Sequence, residues 1–159
     1  MLFLRFVMLM SLVVWIGGII FFAFIVAPTV FTVLPTHDLA GKVVARSLGA
    51  LHWMGLVSGV VYLVCSLFYS RFAIGFAHPF AARNLLVLLM IVLTAISLFV
   101  VTARMNVLRA DIGIIDNVAP ADSHRVEFNQ LHQWSTRLEG GVFLMGMVVV
   151  FLTGKALSS

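Results

Sequence analysis

Charge is what this sequence has least of. Asp, Glu, Lys and Arg make up only 10% of its 159 residues, and only six residues are acidic, where soluble domains carry about 25% charged residues. Hydrophobic residues reach 62%. A chain this short cannot hide so much apolar surface from water, which argues against a water-soluble enzyme domain. Disorder is excluded, because it needs low hydrophobicity. The single cysteine, Cys65, excludes an internal disulfide and a cysteine-built metal cage. It lies in an apolar run and reads as a small buried thiol. No basic run with interleaved aromatics occurs, so nucleic-acid binding has no support. The excess of ten Lys and Arg over six acids, a charge of +4, suits anionic lipid headgroups instead. No small-x-small cleavage site follows the first apolar run, which is also too long for a signal peptide, so that run reads as a retained helix. A membrane protein remains.

Uncharged runs locate the crossings, since a helix needs about 20 mostly apolar residues to span the hydrocarbon. These runs are Phe6 to Thr36, Ser47 to Ser70, Asn84 to Ala103 and Gly140 to Gly154. They imply one domain over residues 1–159 with spans at about 6–34, 48–70, 82–104 and 131–155. The fold class expected is all-α: an integral membrane four-helix bundle running up-down-up-down, with both termini on one side. The last uncharged run has only 15 residues. At 1.5 Å per residue it covers about 22 Å of a roughly 30 Å core. The fourth span must therefore reach back toward Ser135 and take Arg137 and Glu139 with it.

The end opposite the termini, here the loop side, holds a Pro35–Arg46 connection and a long Met105–Leu131 connection. In the latter, Met105, Leu108, Ile112 and Ile115 have helical spacing. Asn117 to Pro120 reads as a break, and Asp122 or Ser123 can cap a new helix leading into the fourth span. Helices three and four are thus expected to extend past the membrane as a hairpin. All six acids, Asp38, Asp111, Asp116, Asp122, Glu127 and Glu139, lie on the loop side or within reach of it. Six basic residues on that side (Lys42, Arg46, Arg104, Arg109, Arg125 and Arg137) face four on the other (Arg5, Arg71, Arg83 and Lys155). By the positive-inside rule this places the loops in the cytoplasm and the termini outside a cell membrane.

Helix two carries a narrow seam of His52, Gly55, Gly59, Tyr62 and Ser66 at about 100° per residue. The spacing of Gly55 and Gly59 lets helices approach closely in lipid, and Gly17 and Gly18 offer helix one the same packing role. On helix four, His132, Ser135 and Glu139 share a face. Arg137 lies about 200° around from Glu139, so the longer Arg137 snorkels outward and Glu139 turns inward. An inward carboxylate needs a partner or must stay protonated. The topology gathers a polar cluster of His52, Arg104, His132, Ser135 and Glu139, with Arg104, His52 or His132 as the expected partner of Glu139.

Several motifs are familiar together. Trp15-Ile16-Gly17-Gly18, Phe21-Phe22, Ala27-Pro28 and Phe31 resemble the first helix of the transmembrane protein 205-like family. Gly41-Lys42-Val43-Val44 and Phe128-x-x-Leu131-His132-x-x-Ser135 extend the likeness over most of the chain. The chain departs from the family pattern at Glu139, where Asn is common. The resemblance implies a four-span membrane protein without an established activity. More remotely the layout is similar to the copper-resistance D membrane domain and to the small membrane protoporphyrinogen oxidases, and neither likeness implies a reaction here.

Chemistry is sparse. His52 and His132 at similar depth on helices two and four could hold haem. The same histidines with Glu139 are acceptable metal ligands, and Met8-x-Met10 and Met145-x-Met147 could attract soft copper; alternate residues on a helix, however, point about 200° apart. His37, His78 and His124 carry no spacing signal. Ser135 beside His132 lacks an oxyanion-hole motif. Paired broken helices and an inverted repeat, the marks of alternating access, are missing. No cofactor is expected. The expected role is that of a multi-pass membrane protein without a catalytic centre, a small transport, stress-resistance or complex-partner component, self-assembling or joining a larger complex. A haem- or metal-binding redox protein is the alternative.

Overall fold

The structure is a computed structural model that describes residues 1–76 and 78–158, and among them it is all-α. Four helices, Leu2–Val33, His37–Ala73, Ala82–Ile112 and Ser123–Ala156, are long and apolar enough to cross a membrane. They form a four-helix bundle, and the protein is a multi-pass membrane protein. The spans pack in a ring: the first against the second and fourth, the third between the second and fourth. Arg5 near the start of the first span donates to the Tyr69 hydroxyl near the end of the second, at 2.7 Å. Tyr62 meets Thr153 late in the fourth span at 2.6 Å. Both ends of the chain therefore lie at one end of the bundle.

The charged residues 38–46 belong to a helix rather than to a connection. Thr36 caps this helix, its Oγ1 accepting from the Leu39 N–H at 3.2 Å, and Asp38 pairs with Lys42 one turn on at 2.7 Å. The connection read at Pro35–Arg46 thus shrinks to the residues between Val33 and His37. Charge marked the limit of the hydrocarbon there, not the limit of the helix, so the second helix also extends past its apolar stretch. At its other end Gly75 takes φ +89° and donates to the Arg71 carbonyl, a left-handed conformation that glycine adopts without a Cβ penalty. Between spans three and four, helix stops at Ile112, where Gly113 has φ +72°. Asp122 caps the fourth helix through Oδ1, which accepts from the N–H groups of His124 (2.9 Å) and Arg125 (3.4 Å).

Two π-helical turns interrupt the spans. The first, Phe22–Val26, precedes Pro28. Proline has no N–H and its ring crowds the carbonyl four residues back. A wider turn relieves that crowding, and the Ala27 N–H reaches back five residues to the Phe22 carbonyl. The second, Ser97–Thr102, lies in the third span. Each π turn adds a residue to the turn, which sets everything after it back by about 100° relative to an unbroken α-helix.

The terminal half of the bundle is tightly packed. Trp15 is 2% exposed, and its indole lies over Gly55 and Gly59, where a Cβ would collide with the ring. Gly18 faces Leu51 and Met54, and Gly146 receives Ile16. Gly17, expected to pack, is exposed with nothing near its Cβ position. It sits 100° from Gly18 on the helix, and only one of two consecutive residues can face the partner. Outside, large apolar side chains such as Phe3, Phe24, Phe68 and Phe151 are exposed, as a lipid-facing surface requires.

Candidate functional site

The loop-side half of the bundle is open. Its walls enclose a cavity of about 670 Å³ lined from all four spans. The cause is the course of the first helix. Up to Phe21 it packs on both the second and the fourth spans, whereas the Ala27–Val33 segment beyond the π turn packs on the second. A gap is left between spans one and four. Ile20 and Phe24 line the cavity and are exposed on the bundle's outer face, the face that lipid would cover.

Polarity changes along the cavity. Its inner end is apolar, formed by Ile19, Phe22, Ala23, Leu48 and Phe143. Its loop-side end carries His37, Asp38, Arg109, Arg125 and Asn129. His132, Ser135 and Glu139 descend one wall along the fourth span.

Glu139 ends this polar row, and His52 holds it. Nε2 of His52 lies 3.1 Å from Oε2 of Glu139, with side-chain exposures of 1% and 16%. The contact runs across the diagonal of the ring. Nδ1 of His52 is buried without a hydrogen-bond partner among the described residues. A proton there would be a stranded donor, so we assign the proton to Nε2, which donates to the carboxylate. Deeper polar pairs continue down helix two: Tyr62 with Thr153, and Ser66, which donates to Asn84 Oδ1 at 2.7 Å.

Of the five residues expected to cluster, His52 and Glu139 are in contact, and Ser135 and His132 line the cavity beside Glu139. Ser135 is buried and His132 exposed. Arg104 is a correction. Its Nε and Nη2 donate to the two carboxylate oxygens of Glu127 at 2.7 and 3.0 Å on the exposed hairpin. Ser97 and Val101 face the core, and an unbroken α-helix would turn Arg104 the same way. The π turn at Ser97–Thr102 rotates it out. Arg137 is exposed over the Trp134 ring at 5.5 Å.

As haem or metal ligands the two histidines do not converge on this cavity: His132 borders it and His52 does not. Among the described residues, no three His, Cys, Asp or Glu side chains come together as a metal site.

Arg109 is the residue that the sequence reading left out of the site. Its guanidinium packs over the Phe128 ring at 5.3 Å, and among the described residues no carboxylate reaches it at ion-pair distance. In the sequence it was one basic residue among six on the loop side; only the cavity distinguishes it.

A family model described as "Domain of unknown function (DUF4149)" matches residues 10–113. The chain belongs to this family. The matched stretch takes in most of the first span and all of the second and third, and ends at the helix-stopping Gly113. His132, Ser135 and Glu139 therefore lie beyond it. Among curated proteins and among solved structures, nothing matches the chain.

Proposed function

We propose that this protein binds an amphiphilic small molecule drawn from the bilayer, and acts by binding rather than turnover, as a small transport or stress-resistance component of the cell membrane. The observation that carries this reading is the cavity opening between spans one and four. Its volume of about 670 Å³ falls within the roughly 300–1,000 Å³ typical of small-molecule sites. Its single-ended polarity suits a ligand with a head and a tail. The balance of basic residues, six against four, favours the cytoplasmic face for the cavity end.

The test is chemical. Protein purified from membranes in mild detergent is extracted with organic solvent, and the extract is analysed by mass spectrometry. An amphiphile near one per chain is expected, and Ala23→Trp, which fills the inner end, should remove it. Absence of any enriched amphiphile from folded wild-type protein, even after incubation with membrane lipid extract, would overturn the reading.

A further inference from the structure

We infer that the ligand is a single-chain amphiphile with an anionic headgroup, held by Arg109 at the loop-side end with its chain lying along the first span toward the bilayer centre. This rests on the reading of the cavity as an amphiphile site and adds the class of ligand.

The acids on the wall are already engaged. Asp38 is bridged by Lys42 at 2.7 Å and Glu139 accepts from His52 at 3.1 Å. Among the described residues neither Arg109 nor Arg125 makes such an ion pair, although Asp38 acts on Arg109 electrostatically. Arg125 donates one N–H to the Val118 carbonyl, an uncharged acceptor. Arg109 is held by the face of Phe128. A cation–π contact fixes a guanidinium in place without using its N–H groups, and those five donors form a planar fork suited to two oxygens of a carboxylate or phosphate. Arg109 is also half-buried, which strengthens such a bond relative to one in water. His37 and His132 border the same cavity and add polar neighbours for a headgroup.

The tail is placed by the other end. Ile19, Phe22, Ala23, Leu48 and Phe143 offer no polar group, and the gap beside Ile20 and Phe24 lets a chain pass to lipid. One head and one chain suit the volume. A cationic amphiphile would instead need Glu139, which ends the polar row on the fourth-span wall and is engaged by His52.

The experiment uses the full chain in phosphatidylcholine nanodiscs with a diazirine-bearing palmitate as photolabel. Competitors are palmitate, palmityl alcohol, palmitylamine and inorganic phosphate. Saturable labelling is expected, lost in Ala23→Trp. Palmitate should compete at least about tenfold better than the alcohol or the amine, the scale of one charge-assisted hydrogen bond, and inorganic phosphate should not compete. Arg109→Gln should weaken labelling by a similar factor, and Arg109→Lys should restore part of it at unchanged melting temperature. The competition series on the wild type stands even if a variant fails to fold. Labelling that is not saturable, or that persists in folded Ala23→Trp, would overturn both the cavity reading and this inference. Saturable, Ala23-sensitive labelling competed equally by all three chains would leave the cavity reading and overturn the anionic headgroup. Preference for the amine would overturn it in favour of Glu139, and phosphate matching palmitate would show a free-anion site instead.

Discussion

The two halves of this bundle are built from the same four helices and the same residue types, yet they use their small residues in opposite ways. In the terminal half each interfacial glycine is filled by a neighbour: Gly55 and Gly59 by Trp15, Gly146 by Ile16. In the loop-side half Gly140 borders the cavity and has nothing within reach of a Cβ. Helix association in lipid has little hydrophobic drive and depends on packing and hydrogen bonds. The tight half supplies both, and so holds the four helices together while the other half stays open. One π turn next to Pro28 separates the two regimes on the first helix.

The sharpest way to break this comparison is to empty the tight half. Trp15→Ala should cost about 3–5 kcal/mol, the range for large aromatic-to-alanine changes in cores, toward the lower end because lipid leaves only a small transfer term. Gly55→Ala should cost about 1–3 kcal/mol by overpacking against the indole. Gly140→Ala, beside Glu139 where the cavity meets the tight half, should be neutral or gain about 0.5–1 kcal/mol from backbone entropy. Unfolding in mixed micelles measures all three. Equal losses at Gly55 and Gly140 would mean that the two halves are packed alike.

A smaller effect belongs to the pair at the border of the halves. Glu139→Leu strands the buried Nε2–H of His52 and should cost about 1–3 kcal/mol. Glu139→Gln should cost less, because the amide oxygen still accepts. The double change of His52→Leu with Glu139→Leu should recover much of the loss, since replacing both partners of a buried polar pair can be nearly neutral. A double-mutant cycle in the same unfolding assay reads the coupling directly. Additive losses would show that the two side chains do not interact.

Why one half was easier to read than the other follows from periodicity. The seam of His52, Gly55, Gly59, Tyr62 and Ser66 lies on an uninterrupted helix, so 100° per residue places it correctly. The inward turn of Glu139 followed from a length shortfall and its angle to Arg137, both counted on another unbroken helix. The cavity was not legible, because it arises where the first helix leaves the fourth, and Pro28 was the single mark of that departure in the sequence. Arg109 became a site residue only through that gap. The start of the second helix was missed because Asp38, Lys42 and Arg46 end an apolar run without ending a helix.

Arg104 carries the smallest expected effect and tests the role of the π turn. Continued α-helical phase from Ser97 would bring Arg104 to the core face, beside Glu139; the π turn delivers it to Glu127 on the exposed hairpin. Ion pairs in water gain little, since solvent and salt screen the attraction and two long side chains must be ordered. Arg104→Gln should therefore leave the melting temperature unchanged within error at moderate salt, and should leave the cost of Glu139→Leu as it is in the wild type. Deleting one residue within Ser97–Thr102 should remove the π turn yet leave Arg104 facing outward, because it then stands six residues after Ser97, about 120° away. In that background, as in the parent, the Arg-to-Gln change at this position should not couple to Glu139. Coupling between Arg104 and Glu139 in the unmodified chain would place Arg104 in the core cluster and remove the π turn as the reason for its outward course.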